Sequence, residues 1–138
     1  MIDPSVLALD AGQTGIKVRF ARADAAPVER VFPGVRTDQP LLPQLAAVAR
    51  ETASGSPVGT LTAGVSGLTS AEHDAAELRA LVHDLAPARV MLAHDSTTSY
   101  LGTLGAGHGA VVAAGTGVVT LAVGPAGVAR VDGWGYLM

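Results

Sequence analysis

Cysteine is absent from the chain, which excludes disulfides, thiolate-bound zinc and cysteine-ligated iron–sulfur clusters within this stretch, and nothing points to an oxidising compartment. A reducing cytoplasm is the expected location. Lysine is almost absent: Lys17 stands alone beside eight scattered arginines, and the net charge is −3. That balance offers no basic patch to a polyphosphate backbone, so nucleic acid is not an expected partner. The opening MIDPSVLALD lacks the basic region, long apolar core and small-residue cleavage site of a secretory signal. Gly109 to Ala129 carries no charge and approaches the roughly 20 apolar residues that span a bilayer. Gly115-Thr116-Gly117 splits it into Ala110–Ala114 and Val118–Val123, however, and Gly124-Pro125 ends the second run. Two buried strands around a tight turn are expected there, and no membrane span.

At 138 residues the chain has room for one ordinary core, so any second domain must be partial. Val6 to Leu9 is apolar and closes on Asp10-Ala11-Gly12, and Ile16 to Ala21 alternates Ile16, Val18 and Phe20 with Lys17 and Arg19. This predicts a strand, a tight glycine turn and a second strand. A third strand is expected within Pro27–Val35, then a helix through Leu42, Leu45, Val48 and Ala49, broken at Ser54-Gly55-Ser56-Pro57. Thr60–Val65 reads as a strand. Leu78, Leu81, Val82 and Leu85 form a helical stripe on a helix beginning near Ser70, whose hydroxyl can cap it, and Arg89–Ala93 reads as a buried strand. A helix over about Ser96–Leu104 leads into GAGHG, which reads as a linker. The order predicts an α/β fold with a mixed sheet and flanking helices. The domains are expected at 1–106 and 107–138, the latter being the opening strands of an incomplete unit.

Asp10-Ala11-Gly12-Gln13-Thr14-Gly15 lies between two strands, where glycines let backbone amides approach a phosphate and the Thr14 hydroxyl can donate to it. Asp10 could orient a Mg²⁺ hydration shell. An ordinary hairpin turn uses the same residue types. Gly115-Thr116-Gly117 repeats the arrangement, and a plain two-strand turn is again the alternative. Asp95 in His94-Asp95-Ser96 sits where a strand gives way to a helix, a place where ligands collect in open α/β sheets. Its carboxylate can accept a hydroxyl proton or simply cap the helix. Two phosphate turns and one carboxylate suffice for phosphoryl transfer, which asks for positioning, charge neutralisation and a base. Asp132-Gly133-Trp134-Gly135-Tyr136 sets two aromatics among glycines in a chain with 4% aromatics, suiting a loop that walls a sugar or base, or equally an apolar plug at a domain edge. His73, His83, His94 and His108 show no paired spacing for zinc, and no glycine cluster has the G-x-G-x-x-G form of a dinucleotide site.

Taken in order, DAGQTG, GVSG, HDS, AGTG and DGWGY resemble the BadF/BadG/BcrA/BcrD ATPase family and, within it, the N-acetylglucosamine and glucosamine kinases. The resemblance covers nearly the whole chain. It implies an actin-like ATPase fold, ATP and Mg²⁺ as cofactors, and phosphate contacts from Gly12, Gln13, Thr14 and Gly15 and from Gly115, Thr116 and Gly117. It also implies Asp95 as general base, and a sugar bordered by Ser66, Gly67, Asp95, Gly133 and Trp134. Two departures stand out. Such amino-sugar kinases usually read Ser-Asn after the second turn, where this chain has Val118 and Val119. They also continue beyond the glycine-tryptophan loop into an adenosine-binding subdomain, so these residues alone are expected to be nearly inactive. The expected function is transfer of the ATP γ-phosphate to an amino sugar. The alternatives are a non-catalytic sugar or nucleotide sensor, or an ATPase that activates a partner enzyme. Strand edges and an apolar face of a partial domain would favour a homodimer.

Overall fold

A computed structural model describes residues 3–66, 68, 71–114 and 117–132, which form two compact units meeting in sequence at His94 and Asp95. In the first, β1 (Val6–Ala11), β2 (Ile16–Arg22) and β3 (Ala25–Phe32) make an antiparallel meander. β4 (Thr60–Val65) and β5 (Arg89–His94) continue the sheet parallel to β1, in the order β3-β2-β1-β4-β5. Parallel neighbours need crossovers. These are α1 (Leu41–Ala53), and α2 (Ala71–Leu81) with a short 3-10 turn over His83–Leu85.

Alternation decides which face of the sheet is covered. Leu7, Leu9 and Ala11 of β1, Ile16, Val18 and Phe20 of β2, and Leu61, Ala63 and Val65 of β4 are buried in one cluster with Leu42, Leu45, Ala49, Leu78, Val82 and Leu85. The period of two along each strand puts Asp10, Lys17 and Arg19 on the other face, where they are exposed. The stripe expected through Leu85 is present, although its end lies in the 3-10 turn rather than in α2. α1 stops at Ser54, in a left-handed conformation with its amide bonded to the Arg50 carbonyl at 3.0 Å. The Arg50 guanidinium grips Asp84 at 2.9 and 3.0 Å and also donates to the Leu81 carbonyl. It thereby ties α1 to the end of α2 and holds the Asp84 carboxyl below the usual carboxylate range.

Two strand expectations need correction. β3 runs Ala25–Phe32 rather than to Val35, because Pro33 has no amide for the ladder; Pro27 is tolerated because β3 is an edge strand. β5 is an edge strand as well and is not fully buried: Met91 is 51% exposed, on the face away from α2.

In the second unit α3 (Asp95–Leu104) packs on β6 (Gly109–Ala114) and β7 (Val118–Gly124). An unanticipated β8 (Gly127–Asp132) completes a three-stranded antiparallel sheet after a Pro125-Ala126 turn. The strands expected to be buried are only partly so. Leu121 is buried toward α3's side, whereas Val112, Val118 and Val131 share the opposite, exposed face, as happens when an antiparallel sheet is covered on one side. GAGHG is not a free linker. Gly105 takes a positive φ with its amide bonded to the Leu101 carbonyl, and the buried Tyr100 donates its hydroxyl to the Gly107 carbonyl. The glycines stop α3 and pin it to the following strands, so the division by packing falls one helix before the boundary drawn at Gly107.

Phe20→Ala should destabilise the first unit by about 3–5 kcal/mol, whereas Val31→Ala, at a side chain 75% exposed, should stay within about 0.5 kcal/mol. Urea unfolding curves of the two variants check this.

Candidate functional site

The parallel strands end together, with Ala11, Val65 and His94 in register, and this carboxyl edge is where open α/β sheets build sites. Asp10, exposed one residue before the end of β1, is paired across the ladder with Lys17 of β2 and with Gly64 of β4. Residues directly opposite have Cβ atoms about 4.5–5.5 Å apart, so the carboxylate and the chain's sole lysine occupy one spot on the open face of the sheet. Both line a groove of about 490 Å³ with Arg19, Glu29 and Arg30. Gly64, lacking a side chain, leaves the other flank of Asp10 uncrowded.

Beyond Asp10 the chain turns through Gly12–Gly15, closed by the Gly12 amide on the Gly15 carbonyl at 3.1 Å, with Gln13 and Thr14 exposed. Ser66 is drawn beside this turn by its own amide, which donates to the Ala11 carbonyl at 3.1 Å and extends the β1–β4 ladder by one step. On its other side the turn meets the segment after β3, where the Val35 amide donates to the Gly12 carbonyl at 2.9 Å. A cavity of about 230 Å³ lies here, lined by Gln13, Ser66, Arg36, Thr37 and Gln39 among others. Its outer wall is organised by Gln44 of α1: the side-chain oxygen accepts from the Arg36 amide at 2.9 Å, and the side-chain nitrogen faces the Arg36, Gln39 and Pro40 carbonyls at 3.0–3.2 Å. Arg36 also grips Asp38 at 2.8 and 3.1 Å and holds that carboxyl below its ordinary range.

Asp10, Gly12, Gln13, Thr14, Gly15 and Ser66 are thus brought together in the first unit. Asp95 opens α3 in the second unit; it is half-buried, and its Oδ1 accepts the amide of the next residue, Ser96, at 2.7 Å. The adjacent Ser96 hydroxyl is buried without a hydrogen-bond partner. Gly117 is exposed immediately before β7. Gly67, Gly115, Thr116, Gly133 and Trp134 lie outside the described residues. Among the described residues no group of three or more His, Cys, Asp or Glu side chains comes together. Asp10 shares its groove with one other carboxylate, Glu29, which is paired with Arg19 at 2.8 Å; a donor set this small suits Mg²⁺ held largely by water and phosphate oxygens.

Sequence reading missed Lys17, Gly34 and Gln44. From sequence Lys17 is an outward strand residue only; its hairpin register with Asp10 is the signal that finds it. The Pro33-Gly34 dipeptide, an ordinary turn mark, falls within the expected third strand but lies beyond the end of β3 at Phe32. Gln44→Ala should cost about 0.5–1.5 kcal/mol and speed amide exchange at Arg36, measured by NMR, while leaving the buried β1 amides protected.

No family model and no curated protein sequence matches the chain. Solved structures do. One is a protein from Chromobacterium violaceum described as a candidate N-acetylglucosamine kinase, at 26% identity and a TM-score of 0.62, covering 96% of this chain and 50% of that one. Another, a protein so described from Porphyromonas gingivalis, matches at 18% identity and a TM-score of 0.73 over 96% of this chain and 50% of that one. The ROK hexokinase of Thermus thermophilus matches at 21% identity and a TM-score of 0.54, covering 95% and 50%. The chain therefore has the actin-like ATPase fold and spans about half the length of the structures it matches. That coverage fits an N-terminal portion of the kinase family to which the motifs pointed.

Proposed function

From that fold and half-length match, we propose that this chain supplies the first phosphate-binding turn and the general base of an ATP-dependent sugar kinase of the BadF/BadG/BcrA/BcrD type, working in the cytoplasm with an amino sugar as acceptor. The observation that carries the reading is the convergence at one sheet edge of Asp10, the Gly12–Gly15 turn and Ser66, with Lys17 paired directly against Asp10. The bound nucleotide would supply the phosphoryl group, and Mg²⁺ the neutralisation of its charge.

The chain's own residues have separable tasks in this reading. Gln13, Thr14 and Gly15 hold phosphate oxygens through backbone amides and the Thr14 hydroxyl, while Gly12, whose amide closes the turn on the Gly15 carbonyl, lets the phosphate come close. Lys17 adds a positive charge beside the same spot, and Asp10 holds the water shell of the metal. Gly115, Thr116 and Gly117 form the second phosphate turn. Asp95 takes the proton of the sugar hydroxyl as it attacks. Ser66, Gly67, Gly133 and Trp134 border the sugar, and the cavity between Gln13 and Ser66 is a space of suitable polarity beside the first turn.

A sensor that binds without turnover is favoured by one feature: Val118 and Val119 carry neither hydroxyl nor amide where the resembling kinases have Ser-Asn. The longest product of the gene, assayed with Mg-ATP and glucosamine, N-acetylglucosamine or glucose, should release ADP with one of them, and Asp95→Asn should lower kcat about 10²–10⁴-fold. Binding without sugar-dependent ADP release would favour the sensor. We also propose a homodimer, supported by the exposed Val112, Val118 and Val131; light scattering should give twice the chain mass, and a clean monomer refutes it.

A further inference from the structure

The space around Gly34 points to a role in the reaction that its sequence position does not advertise. A Cβ built on Gly34 would lie 1.8 Å from the Gln13 carbonyl oxygen, 2.3 Å from its carbon and 2.9 Å from the Gly15 amide nitrogen. All three are backbone atoms of the turn, so no side chain can swing aside to make room. The next residue, Val35, donates its amide to the Gly12 carbonyl at 2.9 Å. Gly34 is not among the described glycines with positive φ, so its backbone conformation is open to any residue and the demand for glycine is one of space alone.

We infer that Gly34 is a positioning residue for the Gly12–Gly15 turn: by admitting its backbone into contact with Gln13 and Gly15, it fixes where the turn's amides stand. This rests on the reading of that turn as a phosphate site. The far end of the same segment is held by Gln44, so the turn is braced through residues 34–36 against α1 and does not depend on its own single hydrogen bond. Amides that are already aimed when a phosphate arrives need no reorganisation, which is how fixed dipoles gain their effect.

The sheet carries its own control. Gly59 is equally crowded, its Cβ falling 1.9 Å from the Asp3 carbonyl oxygen, but it lies before β4, at the opposite end of the strand from the turn. Gly59→Ala therefore perturbs the same unit to a similar degree without touching the turn. In the longest product of the gene, Gly34→Ala should raise amide exchange at Gly12 and Val35 at least tenfold and weaken Mg-ADP binding at least tenfold. Gly59→Ala should lower the melting temperature and leave both of those readouts unchanged.

The assignment is overturned if Gly34→Ala keeps the Gly12 and Val35 amides as protected as in the parent, or if Gly59→Ala exposes them to the same extent. Should the parent bind no Mg-ADP while Gly34→Ala still loosens the turn, the kinase reading fails and the positioning role stands. If Gly34→Ala does not fold, Val35→Pro, which removes the amide donor to Gly12 along with the Val35 side chain, is compared with Val35→Ala, which keeps the donor: faster exchange at Gly12 in the proline variant alone supports the brace, and equal exchange in the two overturns it.

Discussion

The antiparallel pairing of β1 with β2 is the constraint on which the rest of the first unit hangs. Its register sets Leu7 opposite Phe20 and Leu9 opposite Val18, all turned into the core, and thereby sets Asp10 opposite Lys17 on the outer face. A slip of one residue would exchange the two faces, drive Lys17 and Arg19 into the apolar cluster and separate the carboxylate from its lysine. The burial that stabilises the sheet and the juxtaposition that prepares a site are one fact of register. The glycine turn begins where these paired six- and seven-residue strands run out, and the segment after β3 meets it through the Val35 amide.

The parallel side of the sheet adds what a hairpin cannot. β4 reaches β1 only by way of α1, and in arriving it brings Gly64 alongside Asp10 and Ser66 alongside the turn. The helix that makes the crossover also carries Gln44, whose side chain organises the segment leading into it. Brace, cavity wall and crossover are therefore successive parts of one connection, residues 33–59.

The first unit was largely legible in the sequence, because strict alternation in β1 and β2 and a clean stripe through Leu78, Val82 and Leu85 report burial directly. What was not legible depended on distance. Gly34 looks like any loop glycine until the backbone of Gln13 is seen against it, and Lys17 like any outward strand residue until its cross-strand partner is known. In the second unit the apolar runs foretold strands but misjudged their burial, since valine content does not say which face is covered. β8 escaped notice because GVARVD is short and interrupted by Arg130. Of the candidate site, Asp10 and the glycine turn stand out from their residue types and Ser66 only through the resemblance, and the structure brings the three to one edge.

The order in which these parts can form follows from their separation along the chain. The β1–β2 hairpin closes over only a few residues, whereas the contact between Ser5 and Gly59 that anchors β4 joins residues 54 apart. Loop closure over the longer span costs more entropy and is intrinsically slower. The glycine turn and the Asp10–Lys17 pair thus belong to the local, early-forming portion of the molecule, while Ser66 and the cavity beside it exist only once the crossover has docked. A nascent chain would hold the closed turn, with Asp10 and Lys17 already side by side, before it had any wall to stand beside it.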